Sequence, residues 1–357
     1  MTIPSINGGS PSMLSLTGAL DRLNSQYTSL QSQTASGVVS DSYAGLGSNR
    51  YQALSLQPQL TAIGGWQQNV STAQNNLSVA QTALSQIASI ANTLQTNLIT
   101  LQSDQSASTV SAVATQARQA LTTLASLANT QNGNIYVFGG TQQDSPPLSD
   151  PGNILQSNTV TSIGASVASL GTTGADAVES ATLAAASDNS PGQSLFSSAL
   201  STDPVTANAQ AQSTIVGSDN QLTVGFVLTG GTAPTSGSTG SPIRDLIRQL
   251  AVVASLPSAD SSSPAFSSLV NTMVGSVQAT GAAITNTQAA LGQTQSDLTT
   301  QSGSLSTLSD ALTAQLGSLK DADPATVATQ LSDIRNQLTA SYSLIADMKG
   351  LSLASYI

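Results

Sequence analysis

Gly45-Leu46-Gly47-Ser48-Asn49-Arg50 starts like a dinucleotide fingerprint, in which small residues let a backbone close on a pyrophosphate. The third glycine position holds Arg50 and no strand-like run precedes it, so a phosphate loop is not expected. Lys320 and Lys349 both lack the preceding glycine of a Walker loop. Asp321 and Asp323 could share a cation, but Asp323-Pro324 reads first as a helix start, with Asp as N-cap and Pro at the first helical position. Arg244 and Arg248 lie one helical turn apart, a spacing that suits a solvated face, or contacts to carbonyls and Asp245, better than a phosphate site. Asn69-Val70-Ser71 and Asn76-Leu77-Ser78 fit the glycosylation pattern yet fall inside a predicted helix.

What is missing decides more. The 357 residues include no His and no Cys, and Glu179 is the one Glu against seventeen Asp. No Ser-His-Asp or Cys-His triad, imidazole or thiolate metal site, or disulfide can be built. The expectation is no enzyme, and therefore no catalytic, cofactor-binding or metal-ligating residues. Eight Lys plus Arg and a net charge of −10 argue against nucleic acid, whose phosphates need clustered cations. No stretch approaches the ~20 apolar residues of a membrane span, so no membrane insertion is expected. The first ten residues lack a basic start and an apolar run, which reads as no signal peptide. A cytoplasmic chain, or one exported without such a peptide, fits.

The elements that would position any of these residues are helices. Hydrophobic residues make up 39% and charged residues only 7%, against about 25% charged in ordinary soluble domains. Aromatics are 3%, so the core must be aliphatic, and Ala, Leu, Val and Ile suit narrow helix–helix seams. Met13, Leu16, Leu20, Leu23, Tyr27 and Leu30 recur at the 3,4 spacing of coiled-coil packing, and Gly37 is placed to end that helix. Ile63, Trp66, Val70, Ala73, Leu77, Ala80, Leu84, Ile87, Ala91, Leu94, Leu98 and Leu101 continue the spacing without a break. After a turn at 102–106, Val110, Val113, Ala117, Ala120, Leu124 and Leu127 predict a third helix, antiparallel to the second. Near the other end, Val270, Val277, Ile284, Leu291, Leu298, Leu305, Leu312 and Leu319 recur every seventh residue, beside a seam position that turns polar at Thr287, Thr294 and Gln301. Val327, Leu331, Ile334, Leu338, Ile345 and Met348 carry a last helix, which Gly350 is expected to cap, and 351–357 form an apolar tail.

From about 141 to 241 the helical period fades. Ile135–Phe138 and Gln221–Thr229 are strand candidates, and Gly230–Ser241 reads as a low-complexity linker before a helix begins at Pro242, with Ile243, Leu246, Ile247, Leu250 and Val253 as its apolar stripe. The expected fold is mainly α: a long antiparallel helical bundle or coiled coil from the N- and C-terminal segments, with a smaller β-containing or irregular middle domain. Three parts follow: 1–40 with 321–357, 41–140 with 242–320, and 141–241. The outermost helices form a pair too small to hold a core alone. Either they order on assembly or they fray in solution.

The segment Thr34–Ser48, the run Asn134-Ile-Tyr-Val-Phe-Gly-Gly-Thr-Gln-Gln-Asp-Ser-Pro-Pro-Leu148 and the ending Leu351-Ser-Leu-Ala-Ser-Tyr-Ile357, framed by mirrored heptads, resemble the bacterial flagellin and flagellar hook-associated protein 3 family. The resemblance covers about residues 1–148 and 242–357. It implies a structural subunit of the extracellular bacterial flagellum, exported through the flagellar type III channel with the help of a chaperone. Its partners are then itself or other axial proteins, namely hook-associated protein 1 and flagellin. In that family the terminal helices pair in the tube core, which maps the assembly interface onto Met13, Leu16, Leu20, Leu23 and Leu30 against Leu331, Ile334, Leu338 and Ile345, with Leu351 beyond them. The role implied is the hook–filament junction; a filament flagellin is the alternative. A non-polymerising coiled-coil secreted binding protein would carry the same seams.

Overall fold

A computed structural model describes the chain from Pro11 to Ala354, and the side chains of 15–257 and 259–347. The chain divides into two compact units, 1–64 with 307–357, and 65–306. Helices α1 (Pro11–Ser36), α2 (Arg50–Ser103), α3 (Ala107–Ala128), α4 (Asn158–Ala168), α5 (Leu170–Thr173), α6 (Ala175–Ser187), α7 (Pro204–Asn208), α8 (Pro242–Ser255), α9 (Pro264–Lys320) and α10 (Pro324–Ala354) dominate. Two small antiparallel pairs accompany them: β1 (Gln131–Asn132) with β2 (Ile135–Tyr136), and β3 (Ser213–Ile215) with β4 (Gln221–Thr223). The fold is mainly α, with short irregular and β pieces in the middle segment.

In the first unit, α1 packs against α10. Gly37 follows α1 at φ 73°, donates its N–H to the Gln33 carbonyl at 2.9 Å, and so turns the chain where a Cβ would be strained. The Val39 N–H then donates to the Lys320 carbonyl at 2.7 Å and the Ala322 N–H to the Gly37 carbonyl at 2.9 Å, around an antiparallel bridge between Val38 and Asp321. That bridge holds the end of α1 beside the start of α10, so the packed helices run antiparallel. Gly37→Val should cost about 1–2 kcal/mol of this unit's stability, because a β-branched residue at positive φ is strained; the helical circular-dichroism signal followed on heating would read it. The glycine-rich stretch 43–49 is a 3₁₀ segment with Leu46 buried.

The start of α10 is as read from Asp323-Pro324. The Asp323 carboxylate accepts from the Ala325 N–H at 3.0 Å and the Thr326 hydroxyl at 2.8 Å. The Thr326 hydroxyl first, then the Ala325 N–H, hold this carboxyl below its ordinary value of 3.8. Because the folded form favours the carboxylate, the cap is fully in place above 3.8 and is lost as pH falls through the lower folded value. The Ala325 amide resonance should therefore titrate with a midpoint below 3.8, and should not do so in Asp323→Ala. Gly350 does not end the helix, which continues to Ala354.

In the second unit the seam of α2 is sealed: Val70, Leu84, Ile87, Leu98 and Leu101 are fully buried, and Trp66 is half-buried. Gln74 Nε2 donates to Thr299 Oγ1 at 3.3 Å and Gln102 Nε2 to Asn271 Oδ1 at 2.8 Å, a register in which α2 and α9 run antiparallel. Asn97 Nδ2 donates to Gln116 Oε1 at 2.9 Å and ties α2 to its antiparallel neighbour α3. On α3 the buried face includes Ala114, Leu121, Ala125 and Ala128, whereas the expected Ala120 and Leu127 are half-buried. A helix with neighbours on several sides follows the 3.6-residue period and buries a wider stripe than a two-helix seam. Asn69 and Asn76 both lie on α2; Asn69 Nδ2 donates to the Ile215 carbonyl, and Asn76 Oδ1 accepts from Asn132 Nδ2.

The middle segment departs most from expectation. It carries α4, α5, α6 and α7, although no long helical period marks them. Of the strand expected over Gln221–Thr229, Gln221–Thr223 pairs with β3 and Val227 makes a single antiparallel bridge to Gly139, with no continuous ladder between them. The stretch Gly230–Ser241 is an ordered loop, not a linker. The Thr232 N–H donates to the Gly240 carbonyl at 2.9 Å, and the Asp245 carboxylate accepts from the Thr239 N–H at 2.9 Å and from the Ser238 hydroxyl.

That loop and α3, α4 and α6 enclose α8. Its predicted stripe is buried, and so are Arg244, Asp245, Arg248 and Gln249. The expected solvated face for Arg244 and Arg248 is therefore corrected, while the expected carbonyl contacts are present. Arg244, 2% exposed, donates to Asn189 Oδ1 at 2.8 Å and to the Leu200 and Thr202 carbonyls at 3.0 Å, and its guanidinium carbon lies 4.9 Å from the Phe196 ring centroid. Arg248 donates to the Gly237 carbonyl at 3.1 Å.

Candidate assembly interface

The terminal seams offer the surface to which the sequence points. On α1, Leu20 and Leu30 are buried, while Leu16, Leu23 and Tyr27 are half-buried. On α10, Val327 and Leu338 are buried, and Leu331, Ile334 and Ile345 are half-buried. These residues share one helix pair. The side chains of Met13 and Leu351 lie outside the described residues. Two helices meeting along one line cover only the centre of each apolar stripe, so the flanking leucines and isoleucines keep part of their surface in water. Each such side chain represents ~1.5–3 kcal/mol when fully buried, so the uncovered fraction is a reservoir that a neighbouring chain can use.

Charge is scarce on this pair. Helix α1 carries Asp21 and Arg22, and α10 carries Asp333, Arg335, Asp347 and Lys349. The rest of the polar surface is Ser, Thr, Asn and Gln, whose burial costs far less than that of ions provided that hydrogen bonds are made. Beyond the seam, Tyr342 and Leu344 of α10, Tyr51 and Leu54 of α2 and Leu308 of α9 are large, apolar and about half exposed or more, all within the same unit. Reading only the a and d positions missed them. Their signal was apolar identity at outward positions of otherwise amide- and hydroxyl-rich helices.

The remaining motifs are not drawn into a site. Arg50, the departure from the dinucleotide pattern, stacks over the Tyr51 ring at 4.9 Å. Lys320 lies 5.4 Å above the Tyr43 ring. Among the described residues no group of three or more His, Cys, Asp or Glu is placed to hold a metal ion, and none of their helices is long and apolar enough to cross a membrane.

The family model described as the bacterial flagellin N-terminal helical region matches residues 11–143, and the one described as the bacterial flagellin C-terminal helical region matches 274–357. Together they cover both long helical arms and well over half of the chain. No curated protein matches by sequence. Among solved structures, the chain is similar to a protein from Vibrio parahaemolyticus provisionally described as a flagellar hook-associated protein. The TM-score is 0.52 at 12% identity, over 76% of this chain and 97% of that one, which is a likeness of fold. Paired terminal helices and the two matched regions agree: the chain belongs to the bacterial flagellin and flagellar hook-associated protein family, a family of structural proteins of the flagellar axis.

Proposed function

We propose that this chain is the axial subunit that joins hook to filament and that it enters the tube through its α1–α10 pair. The observation that carries the reading is the partly covered, almost charge-free apolar seam of that pair. The junction role draws on the run 134–148, which resembles hook-associated protein 3, and on the fold likeness to the Vibrio protein. The proposed interface comprises Met13, Leu16, Leu20, Leu23, Leu30, Leu331, Ile334, Leu338, Ile345 and Leu351, widened by Tyr342 and Leu344. In the assembly, 1–40 with 321–357 form the innermost part, 41–140 with 242–320 the next, and 141–241 the outermost. The partners are further copies of this chain, hook-associated protein 1 and flagellin. A chaperone and the flagellar type III channel deliver it, and it works without catalysis or cofactor.

A deletion strain tests the role. It should build hooks, secrete monomeric flagellin and lack filaments, and the labelled protein should sit in trace amounts at the hook end. Both matching family models are those of flagellin, which favours a filament subunit as the second reading. Under that reading the protein would dominate sheared filaments. A strain that stays fully motile would sink both and leave a secreted binding protein.

A further inference from the structure

The one glutamate of the chain, Glu179, is half-buried on α6. It borders a small cavity between α6, α8 and the 269–276 stretch of α9, all within the 65–306 unit. The cavity measures about 10 Å³, about the least that admits one water molecule. Val252, Leu269 and Met273 supply its apolar wall. Arg248 and Gln249 of α8, 4% and 2% exposed, supply the polar part.

Each of these two side chains has one atom with no protein partner among the described residues: Arg248 Nε, a donor, and Gln249 Oε1, an acceptor. Elsewhere, Arg248 donates from a terminal nitrogen to the Gly237 carbonyl at 3.1 Å. The orientation of Gln249 is set by its neighbours. The Thr280 hydroxyl gives its single proton to the Ser276 carbonyl at 3.0 Å, so towards Gln249 it can only accept, and it does so from Nε2 at 2.8 Å. Turning the amide over would set two acceptors against each other, so Oε1 stays away from Thr280.

A lone buried donor and a lone buried acceptor on one cavity of this size need a common partner that both accepts and donates. A small anion would meet the Gln249 carbonyl and the Glu179 carboxylate, and a metal ion would meet the Arg248 guanidinium. Burial pulls Arg248 below its ordinary 12.5, while the charges of Asp245 and then Glu179 act in the opposite direction, which places the Glu179 carboxylate within electrostatic reach of Arg248.

We propose that one water molecule is a built-in part of this unit, accepting from Arg248 Nε and donating to Gln249 Oε1 and to the Glu179 carboxylate. Three partners is the usual number for a buried water. So placed, it ties α6 of the middle segment to α8 and, through Gln249 and Thr280, to α9. It also gives the lone glutamate a task in a chain whose other acids are all aspartate.

The test uses the full-length chain. A crystal structure at a resolution that shows ordered water should contain one density peak within hydrogen-bonding distance of Arg248 Nε and Gln249 Oε1. In solution, the Arg248 Nε–H is one of six arginine signals and is assigned by its loss in Arg248→Lys. It should show a rotating-frame Overhauser peak to water with the sign of a dipolar contact. Glu179→Met keeps the reach of the side chain and removes its acceptor. It should speed solvent exchange of that proton by roughly tenfold, the worth of a hydrogen bond to a charged group, and Glu179→Gln, which keeps a carbonyl, by less. A dry cavity, an Overhauser peak with the sign of chemical exchange, or Arg248 Nε bonded directly to Glu179 overturns the site. Equal exchange in the wild type and Glu179→Met also overturns it, because the third partner is then lost. If Glu179→Met fails to fold, the wild-type density and Overhauser peak still decide.

Discussion

Arg244→Ala will destabilise the 65–306 unit by about 2–4 kcal/mol, because buried acceptors lose their donor and the space the side chain fills is emptied. The side chain is a crosslink between segments remote in sequence. One fork holds Asn189, Leu200 and Thr202, and its plane covers Phe196. Truncation leaves two backbone carbonyls and an amide oxygen short of a donor in a region with little water, at about 1–3 kcal/mol for each buried group, and removes a cation–π contact. These losses are not additive, because the loop 189–202 will relax to rehydrate part of them. Burial is also a cost to Arg244 itself. Desolvation pulls it down to about 10, partly offset by Asp203 and then Asp245. It stays charged at neutral pH, and stability should rise as pH climbs past about 10, because the folded form sheds the proton before the unfolded chain does. Arg244→Lys should recover little, since a point charge cannot meet three acceptors in one plane. The single tryptophan, Trp66, lies in this unit and reports its unfolding in urea. A shift in midpoint worth less than 1 kcal/mol would show that the network is dispensable.

The contrast between Arg244 and the heptad leucines explains what could be read in advance. Val270, Val277, Ile284, Leu291, Leu298 and Leu305 are buried as their seven-residue spacing demands, because a helix repeats its environment at a fixed interval. Asp323 and Gly37 were legible for a related reason: caps act on amides and carbonyls a few residues away. Arg244 has partners 42 to 55 residues distant, and no local period encodes them. The loop 230–241 misled by composition. Gly and Ser suit a flexible linker, but Gly231 and Gly240 are there because their backbones touch: a Cβ on Gly231 would collide with the Gly240 carbonyl, and Gly240 sits at φ 86°. On the terminal helix pair, the buried positions Leu20, Leu30, Val327 and Leu338 follow the heptad, whereas the exposed Tyr342 and Leu344 lie off it, where apolar identity has no periodic signature to support it.

Leu338→Asp will abolish incorporation into the flagellar axis while leaving the 65–306 unit folded. Leu338 is 8% exposed in the described subunit and sits on α10 opposite α1. Removing it forfeits the ~1.5–3 kcal/mol of a buried leucine, and burying the carboxylate adds a desolvation cost of about 1–3 kcal/mol, which Arg335 one turn away on α10 offsets only in part. That loss falls on the α1–α10 pairing itself, and a pair that no longer holds together cannot present its flanks to another subunit. Leu20→Asp on α1 should behave alike, since the two stripes share a seam. Ser332→Asp, exposed on the same helix, adds the same charge without entering the seam and should assemble nearly normally. The control separates a packing defect from simple repulsion among copies that already carry net negative charge. Co-assembly with wild-type subunits, scored with Trp66 fluorescence as the folding check, reads both effects. If Leu338→Asp entered filaments as the wild type does, the α1–α10 pair could not be the contact that builds the axis. If Trp66 reported unfolding in the same variant, the seam would instead be a core on which the second unit depends. The half-buried Leu331, Ile334 and Ile345 are the flanks that a two-helix seam leaves uncovered, so they are the surface a neighbouring copy would have to cover for the pair to build the axis.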